Sequence, residues 1–475
     1  MNRRDFIARS ASAVAALAAP CPLARAVAGD AQAGYVTIGG AGSLPSVPPY
    51  FPGLGYEISS VATHGLLSPA NTAYVELVRR LGTQGVIRVG GNTADYAGYS
   101  AVATAVSSPY GTTVNDALLK DLGGFLEATE WKLIWALNLG SGTEKEAVAE
   151  AKAVTAIAGE RLLAFEIGNE PDLFSHEKHR QPGYGYESWL ADYRRYKIAL
   201  RAQLPGIPFA GPDVAGKTDW VTRFAADEGK DIVLLTHHYY REGQNPGSTI
   251  EKLLGTDPKL QPQLDQLRAA SGSSGVPYRI CEVNSFSGGG RPGVSDTMAG
   301  ALWALDYLYT LAYNGCSGVN METGVNQLGF ISSYSPIGED AQGHSIARPE
   351  YYGLLAFNFA HGQMLEVSGD TNSPMIKAYA TTPADRTLQL TLINKGKTAS
   401  VLHVDTGGVS NSPAKATRLL APGVDASTGI TLGGAEVSAA GLWKPMKSQT
   451  VPLQKGKMII EMPAASAAMV EMVRA

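Results

Sequence analysis

The chain lacks the features that define several large classes of protein. It has only three cysteines in 475 residues, Cys21, Cys281 and Cys316, which is too few for a disulfide framework, and no Cys/His spacing resembles a metal site. No apolar run approaches the ~18 residues of a membrane-spanning helix. The first predicted strand-to-helix turn lacks G-x-G-x-x-G, and G-x-x-x-x-G-K-[ST] is absent. These absences argue against a disulfide-stapled module, an integral membrane protein and a nucleotide-binding enzyme.

Charge of either sign is also modest. The net charge is −4 and the pI is near 6.1, so no broad positive surface exists to attract nucleic acid or an anionic membrane. If the substrate is an acidic polymer, the positive potential that receives it must be local. The composition, 44% hydrophobic and 17% charged, is typical of a folded globular protein. The length predicts two domains, or one large barrel with an appendage, and we expect a monomer.

The first residues, MNRRDFIARSASAVAALAAPCPLARAVAGD, have the pattern of an export signal. Arg3, Arg4 and Phe6 precede a mild Ala-rich stretch and a small-residue cleavage site at 26–28. We therefore predict a twin-arginine signal peptide over residues 1–28 and a periplasmic or secreted mature protein. Pro20 disfavours a lipid anchor at Cys21. In the mature chain, Cys281 and Cys316 are expected to be buried free thiols.

Between residues 50 and 360, short β-rich runs alternate with segments of helical period. This alternation predicts a (β/α)₈ TIM barrel rather than an open doubly wound sheet. The eight predicted strands are Gly53–Ser59, Gly85–Gly91, Lys132–Gly140, Leu162–Glu170, Pro208–Ala215, Ile232–Tyr240, Tyr278–Ser285 and Gly318–Thr323.

From residue 361 to 475 the helical period gives way to alternating strands separated by turn residues. Examples are Met375–Ala380, Thr387–Ile393, Lys415–Leu420 and Lys457–Met462. This texture predicts a C-terminal antiparallel β-sandwich domain. A short strand within 34–47 has no place in the barrel, and we predict that it joins the sandwich.

The fourth predicted strand, in LLAFEIGNEPDLFS, ends on Asn169-Glu170-Pro171. Pro171 favours an extended backbone at Glu170, which would carry the strand up to the carboxylate. In a barrel, active sites gather at the carboxyl ends of the strands, and the seventh strand brings Glu282 there. Glycoside cleavage needs two such carboxylates, and Asn169 is placed to contact the sugar 2-hydroxyl. A strand-ending glutamate in a solvated loop is the alternative for Glu170 taken alone.

Other strand ends supply further polar candidates. Glu57 and Asn92 are predicted either to bind sugar hydroxyls or to cap loops. His237 and His238 are adjacent, so only one faces the barrel mouth, and we interpret them as hydrogen-bonding rather than metal-binding residues. Glu322 is a third carboxylate with no assigned role. No metal or cofactor is predicted.

Several motifs agree in order and spacing with one known family. GNEP at 168–171, GPDV at 211–214, HHYY at 237–240 and CEVNSFSGGG from 281, followed by SDT, resemble the heparanase-like β-glucuronidases, glycoside hydrolase family 79 of clan A. The resemblance implies a retaining double displacement, with Glu170 as acid/base, Glu282 as nucleophile, and carboxyl groups about 5 Å apart. Like charges so close would keep Glu170 protonated near neutrality. The resemblance also implies a hydrogen bond from Tyr239 to Glu282.

The same resemblance implies a receptor for the glucuronate carboxylate. Backbone N–H groups of Gly288 and Gly289, within the Gly288–Gly290 run, would form an anion nest, and the Tyr334 hydroxyl would assist. A flexible loop is the alternative for the glycines. Many relatives have a tyrosine just before them, whereas this chain has Phe286-Ser287, and Arg291 is a candidate for part of the missing contact.

The segment from 92 to 114 is short compared with that of exo-acting family members. It therefore favours an open cleft and endo-cleavage of a glucuronate-containing polysaccharide such as heparan sulfate. Basic side chains that follow strand ends, Lys178, His179, Arg180 and Arg241, are candidates to line such a cleft. Three alternatives stay open: an exo-β-glucuronidase, a clan A glycosidase for neutral sugars, and a non-catalytic polysaccharide-binding protein.

Overall fold

The computed structural model describes residues 33–108, 110–324, 331–383, 387–408 and 412–473. The predicted signal peptide, residues 1–28, and Cys21 lie outside these described residues. In chain order, the first strands are β1 (Gly34–Ile38), β2 (Ser46–Val47), β3 (Gly53–Glu57), β4 (Val86–Gly90), β5 (Gly98–Tyr99), β6 (Thr113–Val114), β7 (Lys132–Leu137), β8 (Leu162–Ile167), β9 (Ala210–Val214), β10 (Leu234–Tyr240), β11 (Tyr278–Asn284) and β12 (Val319–Glu322).

Eight of these strands form the predicted barrel. They are parallel and follow one another around the sheet in the order β8-β7-β4-β3-β12-β11-β10-β9. A bridge between Phe165 and Phe209 joins the two ends of the sheet. At the carboxyl end of the same seam, the Glu170 N–H donates to the Asp213 carbonyl at 2.9 Å. The (β/α)₈ prediction is confirmed.

Helices connect the barrel strands, and their sequences explain where they begin. Thr143 and Glu146 form a reciprocal capping box that starts α4. The helices are α1 (Ile58–Val61), α2 (Thr72–Arg80), α3 (Asp116–Thr129), α4 (Glu144–Ala158), α5 (Tyr186–Gln203), α6 (Thr218–Glu228), α7 (Ile250–Leu254), α8 (Leu260–Ser274), α9 (Met298–Tyr313) and α10 (Pro349–Phe357). Short 3₁₀ turns occupy Asn92–Tyr96, Gly159–Arg161 and Pro171–Leu173. Within the described parts of the chain, no helix is both long and apolar enough to span a membrane.

The remaining strands form a hairpin and two facing sheets. They are β13 (Ile337–Glu339), β14 (Ser345–Ala347), β15 (Gly362–Leu365), β16 (Val367–Ser368), β17 (Ile376–Thr382), β18 (Thr387–Asn394), β19 (Ser400–Asp405), β20 (Ala414–Leu420), β21 (Thr431–Leu432), β22 (Gln449–Val451), β23 (Lys457–Met462) and β24 (Ser466–Val473). One sheet has the order β16-β1-β19-β23 and the other β2-β15-β17-β18-β24-β20-β21. The N-terminal strand β1 thus lies between C-terminal strands, parallel to β19 and antiparallel to β16.

The barrel and the sandwich share buried contacts. Tyr309 of α9 stacks on Tyr379 of β17 with ring centroids 4.8 Å apart. Lys395, which follows β18, pairs with Asp306 of α9 at 2.6 Å. One apolar cluster runs from the barrel helices into Ile393, Leu419 and Met469 of the sandwich. Cys281 and Cys316 are both buried free cysteines, as predicted.

The fourth barrel strand ends earlier than the sequence predicts. It stops at Ile167, and the expected extended backbone at Glu170 is wrong, because Glu170 has φ 48° and ψ 49°, in the left-handed region. Pro171 excludes the right-handed helical region for Glu170 but starts a 3₁₀ turn. The chain therefore reverses at Glu170 instead of passing it in a strand.

Candidate active site

Glu282 lies near the end of β11 and is held by two side chains. Arg88 Nη1 donates to its Oε2 at 2.8 Å, and the Tyr240 hydroxyl donates to its Oε1 at 2.9 Å. Only 9% of its side chain is exposed. The two hydrogen bonds fix the orientation of the carboxyl group, and a nucleophile has to be oriented in this way.

Glu170 stands beside it. Its Oε1 lies 2.9 Å from His238 Nδ1, and one oxygen from each of Glu170 and Glu282 lies within 4.8 Å of the other and of that ring. The structure thus brings together the two carboxylates predicted from the fourth and seventh strands. Burial, with a smaller contribution from Glu282, raises the pKa of Glu170 to about 7, although the His238 imidazolium opposes the rise.

Arg88 is the residue that sequence reasoning missed. It lies in the middle of β4, fully buried, and donates to four acceptors: Glu166 Oε2 at 3.1 Å, Glu282 Oε2 at 2.8 Å, Asn169 Oδ1 at 2.8 Å and Asp213 Oδ2 at 2.6 Å. Burial alone would lower its pKa, but Asp213, Glu166 and Glu282 raise it well above the usual value. A charged residue inside the apolar run VIRVG was the available signal, because such a charge is buried only with partners.

His238 joins the two halves of this network. Its Nε2 lies 2.7 Å from Asp213 Oδ1, while Nδ1 faces Glu170. Burial disfavours its charge, but Asp213 and Glu282 raise its pKa well above the usual value, so the imidazolium donates to both carboxylates. His237 points to the other side of β10, is buried, and has no hydrogen-bond partner among the described residues.

The predicted bond from Tyr239 to Glu282 is wrong, and Tyr240 makes that bond. The Tyr239 hydroxyl instead donates to Asp257 at 2.7 Å, and its ring stacks on Tyr307 of α9. Strand alternation is the reason, because His238 and Tyr240, two residues apart, share the inward face of β10, whereas Tyr239 faces the helices.

Glu57 caps a loop, one of the two roles left open for it. Its carboxylate accepts from Asn92 N–H at 3.2 Å, Thr93 N–H at 2.8 Å and the Thr93 hydroxyl at 2.6 Å, at the start of the Asn92–Tyr96 turn. Asn92 is exposed and accepts from Asn169 Nδ2 at 3.1 Å. Asn169 itself is buried, bonds to both Asn92 and Arg88, and shares the Arg88 guanidinium with Glu282.

The glycine run and Tyr334 also meet at this site. Gly288, Gly289 and Gly290 all have positive φ, between 77° and 91°, and the Gly289 carbonyl accepts from Ser333 N–H at 2.6 Å. Among the described residues, no acceptor is found for the N–H groups of Gly288 and Gly289. Tyr334 is buried with its ring 6.3 Å from that of Tyr240. Phe286, which precedes the glycine run, is fully buried.

Glu322 ends β12 in the same polar interior. It is buried, and neither of its carboxyl oxygens has a hydrogen-bond partner in the described part of the chain. Burial first, then the neighbouring Glu282 and Glu57, raise its pKa well above the usual value, which favours the protonated form.

One oxygen or nitrogen from each of Glu170, His238 and Glu282 is close enough to the others to share a metal ion. Those atoms already bond to each other, to Arg88 and to Tyr240, and the two cations balance the charge that a metal ion would neutralise. The arrangement therefore suits acid/base and nucleophilic chemistry by carboxylates.

Known proteins resemble both the sequence and the fold. Residues 378–469 match the family model of the glycosyl hydrolase family 79 C-terminal beta domain. A beta-glucuronidase of Neurospora crassa is 27% identical over 487 residues, covering 82% of this chain and 85% of the relative. A beta-glucuronidase of Aspergillus niger is 27% identical over 458 residues, covering 82% and 84%.

Solved structures share the architecture at lower identity. A 4-O-alpha-L-rhamnosyl-beta-D-glucuronidase from Fusarium oxysporum superposes with a TM-score of 0.76 at 17% identity, over 92% of this chain and 99% of that one. An alpha-L-arabinofuranosidase from Thermotoga maritima gives 0.68 at 14%, over 93% and 100%. A barrel with paired carboxylates at its carboxyl rim and a trailing sandwich defines a glycoside hydrolase. The matched C-terminal domain is that of glycoside hydrolase family 79, and both sequence relatives carry the name beta-glucuronidase, so this chain is similar to members of that family.

Proposed function

We propose that the protein is a retaining β-glucuronidase that acts within glucuronate-containing polysaccharide chains of the heparan sulfate type. The observation that carries the retaining mechanism is the approach of Glu170 and Glu282 to within 4.8 Å. Retaining enzymes hold their carboxyl groups ~5–5.5 Å apart, whereas inverting enzymes need ~6.5–9.5 Å to admit a water molecule.

In this mechanism, Glu170 protonates the oxygen of the leaving group while Glu282 attacks the anomeric carbon. The C–O bond to the leaving group breaks as the bond to the Glu282 oxygen forms. Glu170, now ionised, then takes a proton from the water that hydrolyses the glycosyl-enzyme. A pKa of about 7 suits a group that must both give and accept a proton near neutrality.

The glucuronate preference rests on the rim beside Glu282. Two observations support this preference: Gly288 and Gly289 have the positive φ of an anion nest, and the ring of Tyr334 lies 6.3 Å from that of Tyr240. The two sequence relatives carry the name beta-glucuronidase, which agrees with this assignment. Kinetics on paired aryl β-D-glucuronide and β-D-glucoside substrates test it, and preference for the glucoside would favour the neutral-sugar alternative.

The endo preference rests on the loop after the second barrel strand. In the described residues, two contacts hold this loop. One is the short β5–β6 pairing, and the other is a hydrogen bond from the Ser107 hydroxyl to the Ser59 carbonyl at 2.8 Å. Of the basic candidates, Arg180 is tied to Asp192 and Arg241 to the Thr256 carbonyl, while Lys178 is exposed. Lys178 is therefore the side chain most available to a polyanion.

Two experiments decide the mechanism and the mode. Proton NMR of the first-formed product of an aryl β-glucuronide should show the β-anomer, and an α-anomer would exclude double displacement. Sizing the products of heparosan or heparan sulfate should show shortened chains, whereas release of free glucuronate would establish the exo alternative. If the parent binds polymer without turnover, and Glu170→Gln and Glu282→Gln bind it equally well, the non-catalytic alternative gains support.

We further propose export by the twin-arginine route, from the motif at Arg3 and Arg4. In a bacterial host, the parent should accumulate outside the cytoplasm. Replacing both arginines with lysine should leave it in the cytoplasm, and unchanged fractionation would contradict the proposal.

A further inference from the structure

A second cavity lies away from the catalytic carboxylates, on the other side of β10. Its volume is about 320 Å³, and the barrel loop after β10, helix α9 and the sandwich strand β17 all contribute to its wall. Tyr239, whose side chain faces away from Glu282, forms part of this wall. The volume is within the range of small-molecule sites and suits one or two sugar rings.

Aromatic rings form one side of the cavity. Trp303, Tyr307 and Tyr239 are stacked nearly parallel, with centroids 5.3 Å and 5.0 Å apart. Trp303 is 7% exposed, and its indole N–H donates to no described residue. The Tyr307 hydroxyl is buried and has no partner among those residues. Polar groups that stay unpaired beside a cavity normally meet a ligand or water.

The charged side chains of the wall give the cavity a net positive charge. Arg241, Lys377 and Lys395 contribute three positive charges and Asp257 and Asp306 two negative charges, so three minus two leaves one positive charge. Lys395 is paired with Asp306 at 2.6 Å. Lys377 is half-buried and has no carboxylate partner in the described ranges. In a protein of net charge −4, this local excess selects an anion.

We infer that this cavity is a second binding site, separate from the catalytic one, for a saccharide that carries one carboxylate, such as a uronate. Aromatic faces and edges would contact the C–H surfaces of the sugar, the indole N–H would meet a hydroxyl, and Lys377 would pair with the carboxylate. The inference uses only this cavity, so it holds whether or not the proposed catalytic function does.

The indole signals of the protein allow a site-resolved test. The chain has six tryptophans, and Trp303→Phe identifies the Trp303 indole N–H resonance by its loss from a ¹H–¹⁵N spectrum of the full-length protein. We expect D-glucuronate to shift this resonance saturably and D-glucose at equal concentration to leave it in place. Lys377→Met should raise the dissociation constant for glucuronate about tenfold, because it removes the charged hydrogen-bond donor.

Lys415→Met, on the exposed surface of the sandwich strand β20, is the matched control and should titrate like the parent. Lys377→Gln gives a second test if the methionine variant folds poorly. The inference is overturned if the Trp303 resonance does not move, if glucose moves it equally, or if both Lys377 variants titrate like the parent. The titration needs no turnover, so a protein inactive on glucuronides would refute the catalytic proposal alone.

Discussion

Tyr239 and Tyr240 form a matched pair for testing the assignment of Glu282 as the nucleophile. Tyr240 donates to Glu282 Oε1 at 2.9 Å, whereas its neighbour donates to Asp257 on the opposite side of β10. A hydrogen bond to a charged group contributes about 1.5–3 kcal/mol. At 1.4 kcal/mol per factor of ten, Tyr240→Phe should lower kcat/KM by roughly 10- to 100-fold.

Tyr239→Phe loses a bond of similar strength, but on the outer face of the strand. It should lower the melting temperature, because Asp257 loses its donor, and should leave kcat/KM within about twofold of the parent. The assay is release of nitrophenol from a nitrophenyl β-D-glucuronide at fixed pH, after circular dichroism has shown that each variant is folded. The reasoning is refuted if the two variants lose equal activity, or if Tyr240→Phe loses less than about threefold.

Three further outcomes are expected. Arg88→Lys should fold but lose more than tenfold in kcat and lower the melting temperature, since an ammonium cannot match the four acceptors of the guanidinium; unchanged kinetics would contradict the central role of Arg88. The alkaline limb of kcat/KM should lie near pH 7, where Glu170 loses its proton, and should vanish in Glu170→Ala; a limb that persists would assign it to another group. Burial raises the pKa of Glu150 to about 7, so its contribution to stability is present below pH 4.5 and lost as the pH rises through 7. Denaturant unfolding at pH 5 and pH 8 should show Glu150→Gln reducing this loss by on the order of 1–3 kcal/mol, whereas Glu127→Gln at an exposed position should not.

The fold and the carboxylate pair could be predicted because both follow from local periodicity. Alternating strand and helix patterns fix a barrel, and a barrel places the ends of its strands on one rim. Glu170 and Glu282 each stand at or near a strand end, so their meeting follows from topology. The backbone conformation at Glu170 could not be predicted from periodicity, because the reversal of the chain there depends on a hydrogen bond to Asp213, which belongs to a different strand.

The tyrosine was misassigned although the sequence contained the answer. In a strand, the side chains of His238 and Tyr240 face the same way, so the histidine that faces the mouth also identifies the tyrosine. The motif resemblance indicated Tyr239, one position before the tyrosine that bonds to Glu282. Local alternation is the stronger guide inside a strand, since a shift of one residue moves a side chain to the opposite face.

The contacts of Arg88, and the choice between the two roles left open for Glu57, could not be predicted in this way. The partners of Arg88 come from three other strands, and nothing in its local sequence identifies them. Glu57 caps the turn at Asn92–Tyr96 because two neighbouring strands end side by side, which only the assembled barrel shows. A hydrophobic period of two or 3.6 residues indicates a strand or a helix, but it does not encode contacts between distant elements.

The two buried cations give the two catalytic carboxyl groups different surroundings. Arg88 bonds directly to Glu282, and both Arg88 and His238 bond to Asp213, which holds the pKa of Asp213 below its usual range despite burial. Glu170 has only His238, whose charge is shared with Asp213, so burial prevails and its pKa rises. Glu282 therefore accepts a hydrogen bond from a guanidinium, while burial favours a proton on Glu170, and the two environments differ in which cation each carboxyl group contacts.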